Sequence, residues 1–185
     1  MFTNTTILPA IRDLKDIDKA IKTDSEYIVL LNTHIGQLKS LVRELKRSDK
    51  KVLLHADLVQ GLKTDEFAAQ FLCQDIRPDG IVSTRRSVLS TAKKAGLITI
   101  QRLFLLDSLA LQSSYQMMNT IKPDCVEILP GIIPHIIEEV RRDMDVPVIA
   151  GGLIRSDEEV QAALDAGAFA VTTSNRRLWK ITEEK

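Results

Sequence analysis

A repeating rhythm constrains this chain more than any other feature. Short apolar, often β-branched runs recur at 7–10, 27–31, 52–56, 80–83, 98–103, 125–129, 147–150 and 168–172, with amphipathic helical stretches between them. Most of the runs are near-continuously apolar, as strands covered on both faces must be. Parallel neighbours need crossover helices, and strand and helix alternate throughout. Eight units in 185 residues give a mean period near 23. The spacing predicts one domain, residues 1–185, folded as a compact TIM-like (β/α)8 barrel. Such barrels ordinarily start at about 200 residues, so this one needs short loops and truncated or missing helices. An open doubly wound sheet is the alternative, and its dinucleotide fingerprint is absent.

The helical stretches carry start and stop signals. Segment 13–21 puts Leu14, Ile17 and Ile21 on one face, and 35–46 does the same with Leu38, Leu41, Val42 and Leu45. Thr64-Asp65-Glu66 opens a helix expected to bury Phe67, Ala68, Phe71 and Leu72. Ser156 and Glu159 have capping-box spacing, while Gly96 and Gly167 end helices. The last element, 176–180, is too short for a full closing helix.

Composition narrows the class. Apolar residues make up 44% and charged residues 27%, which separates the chain from disordered ones. Twenty-five basic and 25 acidic side chains cancel, so no global charge marks a nucleic-acid binder. Cys73 and Cys125 lie in apolar surroundings at no metal-ligand spacing and read as buried free thiols of a reducing, cytoplasmic compartment. The N-terminus lacks the pattern of a secretory signal, and no run is long enough to span a membrane.

In such barrels ligands bind beyond the C-terminal strand ends, often with phosphate after strands seven and eight. Gly151 and Gly152 follow the seventh strand and let backbone approach an anion closely. Ser174 and Asn175 follow the eighth and precede a short segment expected to be helical, with its free N–H groups aimed at the same anion. Together the two loops read as a phosphate seat; each alone would be a tight turn. Strand three ends in His55-Ala56-Asp57, with His55 and Asp57 on one side by alternation. Glu127 interrupts an apolar strand, a costly placement unless the acid is paired or solvated. Arg102 is either its structural partner or part of the same polar mouth. Asp57, Glu127, His55 and Arg102 are therefore the candidates for a polyol. His34 and His135 read as surface or capping residues. No metal motif, nucleophile elbow, Walker loop or cofactor signature is present, and no catalytic residue is assigned.

These segments resemble one family. Residues 7–12 (ILPAIR), 55–62 (HADLVQGL), 80–85 (GIVSTR), 101–108 (QRLFLLDS), 126–131 (VEILPG), 147–154 (PVIAGGLI) and 172–179 (TTSNRRLW) are similar, in this order, to the glycerol uptake operon antiterminator regulatory proteins of Gram-positive bacteria. The one mild departure is Ala56, where a β-branched residue is expected. The resemblance implies a regulator that responds to glycerol 3-phosphate and acts on the leader mRNA of glycerol-utilisation genes, so that transcription passes a terminator. It implies no catalysis and no cofactor beyond that effector.

With RNA as the implied partner, Arg85, Arg86, Lys93, Lys94, Arg176 and Arg177 are candidate contacts, each pair being otherwise a solvated face. The Lys39, Arg43, Lys46, Arg47, Lys50 and Lys51 cluster reads as a solvent face. Aromatic residues make up only 4%, and no base-stacking platform is evident. Apolar helix faces on so small a barrel would suit a homodimer. The competing class is an enzyme on a phosphorylated substrate, with Asp57 or Glu127 as base and Arg102 stabilising charge. No lysine stands within an expected strand to form a Schiff base.

Overall fold

The computed structural model describes residues 6–105 and 107–179. The N-terminal residues read for a leader up to Thr5, Leu106 of the matched segment, and Lys180 of the last element lie outside them. Eight parallel strands close into a barrel in simple chain order: β1 (Ile7–Ile11), β2 (Tyr27–Leu30), β3 (Lys51–His55), β4 (Gly80–Ser83), β5 (Ile98–Phe104), β6 (Cys125–Leu129), β7 (Val148–Gly151) and β8 (Ala170–Thr173). β8 pairs with β1, Ile7 lying opposite Val171, which shuts the ring and leaves no sheet edge.

Period-two alternation divides the strands into two cores. Leu8, Ala10, Tyr27, Val29, Leu53, Val82, Ile100, Cys125, Ile149 and Ala170 fill the lumen. Their neighbours along each strand, such as Ile28, Leu54, Ile81, Val126 and Ile128, face outward against the helices. Those helices are α1 (Ile17–Ile21), α2 (Ile35–Arg47), α3 (Glu66–Phe71), α4 (Arg86–Lys94), α5 (Ser108–Ile121), α6 (Pro134–Asp143) and α7 (Asp157–Asp165). Truncation falls where the length requires it. α1 is a single turn after a 3-10 turn, and β8 leads into a turn at 176–178 rather than a helix. Trp179 packs there and donates its indole N–H to the Thr173 carbonyl at 2.8 Å.

Capping follows the sequence signals. Ser156 and Glu159 form both halves of the capping box at α7, and Gly96 and Gly167 take positive φ after α4 and α7. His34 caps α2, its Nδ1 accepting the Gly36 N–H at 3.1 Å. α3 departs from expectation. Its buried face is Ala68, Ala69 and Leu72; Phe71 is half-buried and Phe67 is 79% exposed. Asp65 caps the helix and a π turn follows directly at Leu72–Ile76, so one short turn sets which face is covered. Phe67 falls on the other. A parallel two-residue ribbon, Thr33–His34 with Val59–Gln60, sits outside the barrel and has no counterpart in the sequence reading. Cys125 is buried and Cys73 half-buried, both free; burial pushes the Cys125 thiol up to about 12. No helix among the described residues is long and apolar enough to cross a membrane.

Candidate functional site

A cavity of about 450 Å³ opens at the C-terminal end of the barrel, where the loops after β7 and β8 meet the ends of β1, β5 and β6. Gly152, Leu153, Ile154, Arg155, Thr172, Thr173, Ser174 and Asn175 form one wall, and Arg12, Arg102, Glu127 and Leu129 contribute to the others. The size and mix of apolar walls with a few polar groups suit a small ligand.

The β7 loop owes its shape to two glycines. A Cβ on Gly151 would stand 2.5 Å from Thr172 Oγ1 and 2.8 Å from Glu127 Oε1, so only glycine admits the polar contacts behind it. Gly152 has φ +77° and Leu153 continues at φ +63°, a conformation that glycine adopts freely and leucine rarely. The turn leaves donors free. The backbone N–H groups of Leu153 and Ser174, both cavity residues, have no hydrogen-bond partner among the described residues. Unpaired backbone donors of this kind are suited to an anion. Asn175 does not add to it directly. Its side chain donates to the Arg155 carbonyl at 3.1 Å and accepts the Arg177 N–H at 3.2 Å, which ties the two loops together. The expected helix after Asn175 is a single turn, so the free donors come from the loops themselves.

Behind the seat lies the polar layer of the lumen. Arg102 and Glu127 sit side by side on β5 and β6, and Arg102 Nε donates to Glu127 Oε2 at 2.7 Å. Thr172 Oγ1 donates to Glu127 Oε1 at 2.5 Å. Glu127 is 2% exposed, so the guanidinium and the hydroxyl supply what burial would otherwise deny its charge. His55, buried in the same lumen, has both ring nitrogens unpartnered among the described residues. Burial, aided by the Arg102 charge, pushes its pKa down to about 4 against the pull of Asp57 and Glu127. The ring is therefore neutral at pH 7, with one donor and one acceptor to offer.

Asp57 goes elsewhere. β3 ends at His55, and a 3-10 turn over Ala56–Leu58 carries Asp57 off the alternation that would have placed it beside His55. Its carboxylate accepts from Ser83 Oγ at 2.5 Å, Thr84 N at 2.7 Å and Thr84 Oγ1 at 2.8 Å, which pins the ends of β3 and β4 together. Asp57 does not line the cavity. The basic candidates also separate. Arg85, Arg86, Arg176 and Arg177 stand exposed at the mouth end, with Arg176 paired to Asp16 at 2.9 Å. Lys93 and Lys94 close α4 at the opposite end, where Lys93 bonds the Lys122 carbonyl and faces Asp124.

Two arginines at the cavity were missed in the sequence. Arg12 continues the inward series Leu8, Ala10, so alternation alone could have found it. Arg155 stands in an irregular loop with no periodicity to reveal it. Neither has an ion-pair partner among the described residues. Among the described residues no three His, Cys, Asp or Glu side chains are grouped to hold a metal.

The family model described as glycerol-3-phosphate responsive antiterminator matches residues 7–179. The chain belongs to that family. It is 48% identical to the glycerol uptake operon antiterminator regulatory protein of Listeria monocytogenes, over 96% of both chains and with a TM-score of 0.94. A glycerol uptake operon antiterminator-related protein of Thermotoga maritima is 32% identical, covering 97% of this chain and 99% of its own, with a TM-score of 0.84. The uncharacterized protein YgcP of Escherichia coli (strain K12) is 32% identical over 96% of this chain and 93% of its own. Likeness to aldolases, such as deoxyribose phosphate aldolase from Aeropyrum pernix at 16% identity and a TM-score of 0.70, shows the barrel fold alone. Membership ties the chain to antitermination and glycerol regulation.

Proposed function

We propose that this antiterminator-family chain is a glycerol 3-phosphate sensor that acts on leader mRNA when the ligand is bound. The observation that carries the reading is the pair of unpaired N–H donors at Leu153 and Ser174, in a cavity that also holds Arg12 and Arg155. Gly151, Gly152, Ser174 and Asn175 shape this seat, and the phosphate sits on the backbone donors with the arginines around it. The glycerol hydroxyls point inward to Glu127 and Arg102, with the neutral His55 buried in the same lumen but not lining the cavity. Asp57 acts at one remove, holding the β3 and β4 ends. On the RNA side, Arg85, Arg86, Arg176 and Arg177 share the ligand's end of the barrel, whereas Lys93 and Lys94 do not.

The reading is of a binder, not an enzyme. Glu127 is held in place by Arg102 and Thr172, with one lone pair left on each oxygen to accept a polyol hydroxyl. No lysine lines the cavity among the described residues; Lys51, which does begin a strand, pairs with Glu26 at the far end. Calorimetry tests the sensor. Glycerol 3-phosphate should bind, glycerol should not, and inorganic phosphate should bind more weakly. Equal affinity for glycerol and its phosphate, or none for either, refutes the proposed seat. Retention of a leader transcript should then rise when glycerol 3-phosphate is added.

A further inference from the structure

Among the described residues, every large apolar side chain with substantial exposure lies at the mouth end of the barrel. Leu58 follows β3, Phe67 opens α3, Phe104 ends β5, Leu109 opens α5, Ile132 follows β6 and Leu153 follows β7. Scattered exposed apolar residues need no explanation, but confinement of all of them to one end does. Phe67 is 79% exposed and Phe104 50% exposed. They belong to the third and fifth units, so they flank β4, whose end carries the exposed Arg85 and Arg86. Neither arginine has an ion-pair partner among the described residues.

Several acids on the same face are engaged, while Glu66 beside Phe67 and Asp157 in the first turn of α7 stand exposed. Asp57 and Asp65 accept from neighbouring hydroxyls or backbone N–H groups, as does Asp107 from the Ala110 N–H, while Asp16 holds Arg176. The rim around β4 thus presents two aromatic rings flanking a pair of guanidinium groups that have no ion-pair partner among the described residues. We propose that Phe67 and Phe104 are stacking platforms for unpaired bases of a single-stranded RNA segment whose phosphates run along Arg85 and Arg86. The inference rests on the reading that this chain acts on leader mRNA, and it specifies the surface and the form of RNA taken.

Aromatic faces beside a cationic track are the usual means of holding single strands, because every base has a face to stack. A second copy of this chain is a poorer occupant. Mouth-to-mouth pairing would set the unpaired arginines of this face against their own counterparts, and the apolar side chains are interrupted by charge rather than contiguous. The platform also adjoins the ligand wall. Phe104 lies in register with Leu129, which lines the cavity, and the Leu105 N–H donates to the Leu129 carbonyl at 2.9 Å.

The test measures binding of a fluorescent transcript of the leader preceding the host's glycerol-utilisation genes, single-stranded and annealed to its complement, with glycerol 3-phosphate saturating. Phe67→Ala and Phe104→Ala should each lower affinity for the single strand on the order of tenfold. Affinity for the annealed form should be low in wild type and unchanged in the variants. Phe67→Trp should retain binding and Phe67→Leu should not, since leucine replaces the apolar area without the ring. Affinity for glycerol 3-phosphate should stay at the wild-type value in all four, which also shows that they fold. RNA affinity indifferent to Phe67 and Phe104, or restored by leucine, overturns the proposal. So does a wild-type dimer that dissociates on Phe67→Ala, which assigns the face to a second copy. If wild type fails to retain the transcript at all, the RNA reading itself fails, and the stacking proposal falls with it before any variant is made.

Discussion

The two ends of the barrel are built from the same eight strands, yet they treat their polar groups in opposite ways. At the floor, Asp79 precedes β4 and accepts the Val52 N–H of β3 at 2.8 Å while pairing with Lys46 at 3.1 Å. Asp124 precedes β6 and repeats the device on β5, accepting Thr99 N at 2.8 Å and Thr99 Oγ1 at 2.7 Å. Lys50 Nζ donates to the carbonyls of Thr23 and Ser25 at 2.6 and 2.9 Å. At the mouth, by contrast, backbone donors of Leu153 and Ser174 go unpaired and apolar side chains stand in water. The floor closes the barrel through local satisfaction. Free energy left unclaimed at the mouth is available to a ligand.

If that division holds, substitutions at the two ends should separate ligand binding from stability. The largest effect expected on ligand binding is for Gly152→Asp, which places a carboxylate at the seat on a backbone with φ +77°. It should weaken glycerol 3-phosphate binding by two orders of magnitude or more, roughly 3 kcal/mol, as read by calorimetry. Unchanged affinity would remove the phosphate from this loop.

Arg102→Ala should be the most damaging to the fold, because it leaves Glu127 charged, 2% exposed and short of its cation. Urea unfolding should show a loss of about 3–5 kcal/mol, with Glu127→Gln recovering part of it in the double variant. A loss confined to ligand affinity, with stability intact, would mean the pair is held by solvent rather than by each other.

His55 gives the account a pH signature. Its folded-state pKa lies near 4 and its ordinary value near 6.5. Between those limits the unfolded chain binds more protons, so stability is full above 6.5 and declines as pH falls toward 4. The contribution lost is on the order of 3 kcal/mol. His55→Leu should flatten the unfolding free energy across that window, and an unchanged slope would place the titrating group elsewhere.

Smallest of all should be the floor. Asp79→Ala removes one charged hydrogen bond and a half-exposed ion pair, costing about 1–2 kcal/mol in thermal or urea unfolding. Glycerol 3-phosphate affinity should not move. A marked loss of binding would show that the two ends are mechanically linked, and the comparison would need redrawing.

Much of this molecule was legible before any coordinates. The eight apolar runs name the eight strands to within two residues at either end, because burial on both faces forces continuous apolar sequence. The Gly151–Gly152 pair and the Ser174–Asn175 loop were legible for a similar reason: their count along the chain fixes where they meet. What the sequence did not show depends on single dihedrals and on short elements. Asp57 left the lumen because a 3-10 turn replaced the last step of β3, and no periodicity announces a three-residue turn. Phe67 looked like core because its neighbours Ala68 and Leu72 are. The exposed rings at 67 and 104 were invisible to composition, since a low aromatic content says nothing about where two phenylalanines stand. Arg12 was recoverable from alternation with Leu8 and Ala10; Arg155 was not.

The most direct test of the unpaired mouth is to follow backbone amides by NMR during a glycerol 3-phosphate titration. The account predicts downfield proton shifts for Leu153 and Ser174 as their N–H groups take up the phosphate, with Val52 and Thr99 at the floor unmoved. Saturable binding with those two amides silent, or with shifts centred on the floor, would contradict it.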